Sequence, residues 1–268
     1  MAKYKKKRAR ELKHDRFRDT TMSYLDRLGD LLEGRGRTIL YGLGGLIVAV
    51  LLIVVFVKWN NRKNDEARQA LGRAINITSA AVSPSPIPGS TEMTFSTEKE
   101  RAEKAIAEFE KVAAKYGEPY KSESRYFIAS NRLVVDRQKG ISELTELSNG
   151  SGEVAALAKF ALAQANESDG KLDDAARLYS ELAKLNSATV TAETANVRLA
   201  KVYEKQGKKK EAADLLFNIV DAARKAKGSD NQPVPQSGAA REAAEDLQKL
   251  DPDRYGQLPP EIPASLAG

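Results

Sequence analysis

From Thr38 to Val57 the chain is apolar without interruption. TILYGLGGLIVAVLLIVVFV holds 14 Leu, Ile, Val or Phe in 20 positions and no charge. A helix of that length spans about 30 Å, the thickness of a bilayer core. Side chains of these types favour insertion by roughly 4–8 kcal/mol in total. The pattern predicts a transmembrane helix over 38–57, with Tyr41 and Trp59 as its interfacial aromatics. The other reading of an all-round apolar rod is a buried core helix, and nothing else in the chain is apolar enough to cover it. Gly45 and Ala49 form a small-xxx-small pair that would admit a partner helix, hence a homodimer through the anchor.

On either side the spacing changes. Before the span, Met22, Leu25, Leu28 and Leu32 recur at helical intervals between an N-cap at Asp19 or Thr20 and a stop at Gly34, predicting a short amphipathic helix. After it, residues 58–78 contain no helix breaker and read as a helical stalk. Ser83 to Thr91, SPSPIPGST, makes 79–97 a Pro/Ser linker. Residues 98–226 then read as short amphipathic helices in pairs. A linker follows over 227–237, then a capping helix over 238–250, and a Pro-rich, extended tail over 251–268. The expected fold class is all-α, an anchor helix followed by a solenoid of about three helix pairs and a cap.

The paired helices repeat. Leu162, Ala163, Gly170, Ala175 and Tyr179 each lie 37 residues before Leu199, Ala200, Gly207, Ala212 and Leu216. A 34-residue unit with three extra loop residues near 186–191 accounts for the offset. Ile128, Ala129, Ile141 and Leu144 lie 34 before Leu162, Ala163, Ala175 and Leu178, and Ala105 and Phe109 keep the Ala-xxx-aromatic spacing, with Pro119 expected to end that helix. Ala200 and Ala212 are expected where two antiparallel helices touch, with Leu199, Tyr203 and Leu216 filling the layer between them. Gly207 is expected to supply the positive φ of the turn, and Gly170 is its match one repeat earlier.

This pattern, L-A-x-x-Y-x-x-x-G-x-x-x-E-A-x-x-x-L, resembles tetratricopeptide repeats. The layout as a whole resembles the bacterial family of ancillary SecYEG-translocon subunits, which is related to the repeat domain of the cell-division coordinator. That resemblance rests on ELKHDRF (Glu11 to Phe17), the anchor and the repeats of 162–220. It implies a short cytoplasmic tail, one span in the bacterial inner membrane and a periplasmic repeat domain. Translocon subunits, periplasmic chaperones or exported clients would be its partners, and the family has no catalytic residues to carry over.

Charge adds direction. Residues 1–37 hold 12 Lys/Arg and 6 Asp/Glu, whereas residues 58–268 hold 31 of each. Lys3 to Arg10 has six basic residues in eight, so the positive-inside rule places the N-terminus in the cytoplasm. The near flanks oppose this weakly, with four cations before the span and Lys58, Arg62, Lys63, Arg68 and Arg73 after it. The apolar run starts too far into the chain, and is too long, for a cleaved signal peptide. Lys3–Arg10 also suits anionic lipid, and nucleic acid is disfavoured by the neutral repeat domain.

Candidate chemistry is sparse. There is no cysteine and one histidine, His14, which excludes disulfides, thiolate metal sites and histidine-centred triads. Paired carboxylates such as Asp173–Asp174 or Glu242 and Glu245 sit beside Lys and Arg with no apolar surround to raise a pKa. No phosphate-loop, dinucleotide-fold or nucleophile-elbow motif occurs. No cofactor or metal is expected, and the chain does not read as an enzyme. Lys208 to Lys210 read as a solvated corner. Asn76-Ile77-Thr78 and Asn166-Glu167-Ser168 are glycosylation sequons.

The expected function is a membrane-anchored scaffold binding proteins on the helix-A face, through Phe160, Gln164, Glu167, Val197, Lys201, Glu204 and Lys205. The alternatives are an envelope-assembly or cell-division adaptor, or, with reversed topology, a cytoplasm-facing one.

Overall fold

The structure is a computed structural model and describes residues 36–83, 93–185, 187–229 and 232–261, without the side chains of 36–45, 47 and 49. The amphipathic helix expected before the span and the basic tail lie outside the described residues. The chain divides into two units, Met1–Glu66 and Ala67–Gly268.

Helix α1 runs Gly36–Thr78. In the first unit every described large apolar side chain from Leu46 to Val57 is exposed, between 46% and 64%. Gly45 and Ala49 lie in α1, but their side chains are outside the described residues. Among the described residues no helix is long and apolar enough to cross a membrane; half of the positions in 38–57 are described without side chains and do not enter that statement.

The second unit is built from helix hairpins. Its helices are α2 (Glu98–Lys115), α3 (Tyr120–Val135), α4 (Arg137–Ser148), α5 (Gly152–Ser168), α6 (Leu172–Leu182), α7 (Ala192–Lys205), α8 (Lys209–Lys225), α9 (Gly238–Leu250) and the four-residue α10 (Pro252–Tyr255). Each helix from α2 onward packs on the next, and α3 also touches α5, as α7 touches α9. Helices packed each on its chain neighbour in series make a tetratricopeptide-like solenoid. Residues 67–78, expected as stalk, belong to its core. Ala67, Leu71, Ala74 and Ile77 pack with Ala105, Phe109 and Val112 of α2 and with Ile128 of α3. The end of α1 thus joins the core ahead of the hairpins α3–α4, α5–α6 and α7–α8. Helix α9 caps the last pair through Ala240, Ala243 and Leu247.

Two linkers carry structure of their own. β1 (Ala81–Val82) pairs in parallel with β2 (Thr94–Phe95), and Lys227 bridges Pro233. Helix α2 ends at Lys115, before Gly117, and Pro119 is instead the residue that opens α3. The tail expected to be extended folds back at its start: α10 follows Asp251 directly, Leu258 is buried, and Arg224 donates to the Pro259 carbonyl.

Candidate functional site

The small residues of the repeats lie in the core. Ala163, Ala175, Ala200 and Ala212 are buried to 1% exposure or less, which lets the two backbones of a hairpin approach closely. Leu162, Leu199, Leu216 and Tyr179 are buried, and half-buried Tyr203 packs against the cores on both sides of it. Gly170 and Gly207 have φ of +72° and +77°, the left-handed region that an L side chain rarely adopts.

On the helix-A face the candidate residues part company. Gln164 and Glu204 are exposed on α5 and α7. Phe160 is half-buried against the core, edge-on to Tyr179 with ring centroids 5.8 Å apart. Glu167 is engaged rather than open. One of its oxygens accepts from the Tyr179 hydroxyl at 3.2 Å and the other from Lys205 Nζ, so it joins α5, α6 and α7. Burial first, and then the Glu167 charge, push the Tyr179 pKa up. Tyr179 therefore stays a neutral donor.

Val197 does not line a groove. It is 1% exposed, packed in the core that α9 closes, because the capping helix occupies the place where a further repeat would leave α7 open. Lys201 is spanned by the same helix: its Nζ donates to Glu242 at 2.5 Å and lies 3.2 Å from Asp246. Burial disfavours its charge, but the two carboxylates outweigh that and raise its pKa. Lys201 in turn lowers the pKa of Glu242. The open part of the face is thus narrower than the sequence reading, and Gln164 and Glu204 are its free polar groups. Lys208 to Lys210 are exposed at the corner, with Lys208 Nζ 5.5 Å from the Tyr203 ring.

Several ties between repeats had no signal in the sequence. Arg137 donates to the Ala165 carbonyl, the Ser168 hydroxyl and the Asp169 carboxylate, satisfying groups at the C-terminal end of α5. Glu153, at the start of α5, accepts from the Ser187 hydroxyl and from the amides of Ala188 and Thr189. Bonds from Thr189, Ser187 and the Ala188 amide lower its pKa to about 2. This latch holds the three extra loop residues. An open hollow of about 290 Å³ lies beside it, lined by Ser148, Ser151, Lys159 and Leu185; Lys159 is paired with Glu181 at 2.7 Å. Another, of about 210 Å³, is bordered by the linked side chains of Glu110, Arg132 and Glu143. Among the described residues no group of carboxylates or histidine could hold a metal ion. Asn166 is buried within α5, so its sequon is inaccessible in the folded unit.

No family model and no curated protein matches the chain. Among solved structures it is similar to a putative kinesin light chain from Podosopora anserina with nearly identical TPR-like repeats, and to a point-substituted form of that protein. Each overlap has a TM-score of 0.48 and 16% identity, and covers 72% of this chain and 88% or 87% of the other. The repeat fold stands on the hairpin packing of the chain itself.

Proposed function

We propose that this protein is a non-catalytic scaffold that presents its helix-A face to protein partners at a membrane. The observation that carries the reading is the exposure, on every described position, of the apolar side chains from Leu46 to Val57. A bare apolar rod of this kind is costly in water and favourable in a bilayer. A solenoid of helix hairpins follows it, an architecture that binds through extended surfaces rather than through a catalytic cleft. The basic stretch Lys3–Arg10 supports a cytoplasmic N-terminus, which puts the repeats on the extracytoplasmic side. The resemblance to ancillary translocon subunits then favours the bacterial inner membrane. Translocon components, periplasmic chaperones and exported chains are the partners it favours.

Photo-crosslinkers placed at Gln164 and Glu204 in native membranes test this directly. Recovery of export machinery or periplasmic chaperones is the expected result. Adducts with cytoplasmic proteins only would reverse the topology. An alkaline wash that strips the full-length chain from membranes would remove the anchor.

A further inference from the structure

Over residues 58–66, just past the apolar edge of α1, cations precede acids, and Arg68 and Arg73 follow deeper in the helix. Lys58, Arg62 and Lys63 come first, then Asp65 and Glu66. All five are exposed. At about 1.5 Å of rise per residue, the three cations lie roughly 1.5–9 Å beyond Val57, and the two acids at about 12–14 Å. A headgroup layer adds only about 5–8 Å to each side of the hydrocarbon core. The cations therefore fall in or at the edge of that layer, and the acids fall beyond it. At about 100° per residue, Lys58 and Arg62 share one side of the helix while Trp59 and Lys63 share the next. Lys63 Nζ sits 3.6 Å from the centroid of the Trp59 ring, and that ring is 55% exposed. A cation so placed stacks on the ring and still has an open side, while the ring sits at the depth that interfacial tryptophans favour.

We infer that Lys58, Trp59, Arg62 and Lys63 form a collar that binds anionic phospholipid headgroups. The inference rests on the membrane reading above and adds a lipid class to it. The occupant is a phosphate-bearing lipid of net negative charge, chosen because the collar is cationic at headgroup depth and the compensating acids stand outside it. Arg62 also reaches toward Glu66, at 3.7 Å, an exposed contact that a headgroup phosphate can replace at little loss.

Trp59 is the only tryptophan in the chain, so its fluorescence reports the collar alone. The full-length protein is reconstituted into phosphatidylcholine vesicles containing a minor share of either phosphatidylcholine or phosphatidylglycerol brominated at carbons six and seven. The expected result is about threefold to fivefold stronger quenching per mole by the brominated phosphatidylglycerol, a preference that shrinks as salt is raised. In the triple variant Lys58→Gln, Arg62→Gln, Lys63→Gln the two lipids quench equally, with helix content unchanged by circular dichroism. Equal quenching by both lipids in the unmodified protein overturns the lipid class and leaves the anchor standing. Quenching by neither overturns the collar, because Trp59 then does not face lipid, and the alkaline wash decides separately whether the anchor stands.

Discussion

The hairpins α3–α4 and α7–α8 turn the same corner in two ways. In α7–α8 three residues separate the helices, Gly207 takes the left-handed conformation, and Ala212 stands at the helix crossing. Hairpin α5–α6 copies this with Gly170 and Ala175. In α3–α4 only Asp136 separates the helices. Its amide donates to the Arg132 carbonyl and its side chain accepts from the Lys139 amide. The shorter turn brings α4 closer, and the crossing residue becomes Gly140. A Cβ there would sit 2.7 Å from the Leu133 nitrogen and 3.0 Å from the Ala129 carbonyl oxygen. A hairpin can thus spend its glycine on the turn or on the crossing.

That contrast can be broken at either end. Gly140→Val meets backbone that cannot yield and should destabilise by about 3 kcal/mol, read from the urea midpoint. Gly207→Ala has open space but the wrong φ, so about 1–2 kcal/mol is expected, and Gly207→Asn should recover part of it. If Gly207→Ala cost more than Gly140→Val, the two glycines would have been assigned the wrong tasks. Asp136→Ala removes a side-chain cap and should cost about 1 kcal/mol. Lys208→Ala, at a corner without such a cap, should stay within about 0.5 kcal/mol.

Smaller effects sharpen the role of the cap and of the loop latch. Lys201→Met should lower stability by about 0.5–1 kcal/mol, since the pair with Glu242 is partly exposed. Increased amide exchange confined to α9 would mark that loss as local undocking. Glu153 has a folded pKa near 2, below its ordinary value of 4.5. Its contribution is therefore full above about pH 4.5 and is lost as pH falls towards 2. The protection factors of the Ala188 and Thr189 amides, taken relative to the intrinsic exchange rate at each pH, should fall as pH drops through that window and stay constant from pH 5 to 8. A flat profile down to pH 2 would remove Glu153 from the latch.

The two C-terminal hairpins were legible because glycine turn and alanine crossing recur at one fixed offset. Hairpin α3–α4 was only half legible. Ile128, Ala129 and Leu144 kept their places, but the one-residue turn moved the glycine out of the pattern. The last turns of α1 hid in plain view: Ala67, Leu71, Ala74 and Ile77 carry a helical stripe that runs on from the apolar span without a breaker. The helix-A face was legible by position but not by occupancy. Nothing in the local pattern around Lys201 signals that Glu242 and Asp246 arrive from 41 and 45 residues away to claim it.

The corner at Asp136 returns at Asp251. The two aspartates have nearly the same backbone angles, φ −146° and ψ 88° against φ −147° and ψ 82°. Each donates its amide four residues back and accepts from the amide three residues on. Helix α10 is thus the first turn of another hairpin, cut off after Tyr255 and sealed by Leu258. The cap of the described solenoid, α9 with α10, is therefore built as a shortened hairpin. Array length is then an editable property: grafting a helix of α4's length after Tyr255, with a new cap behind it, extends the array by one module.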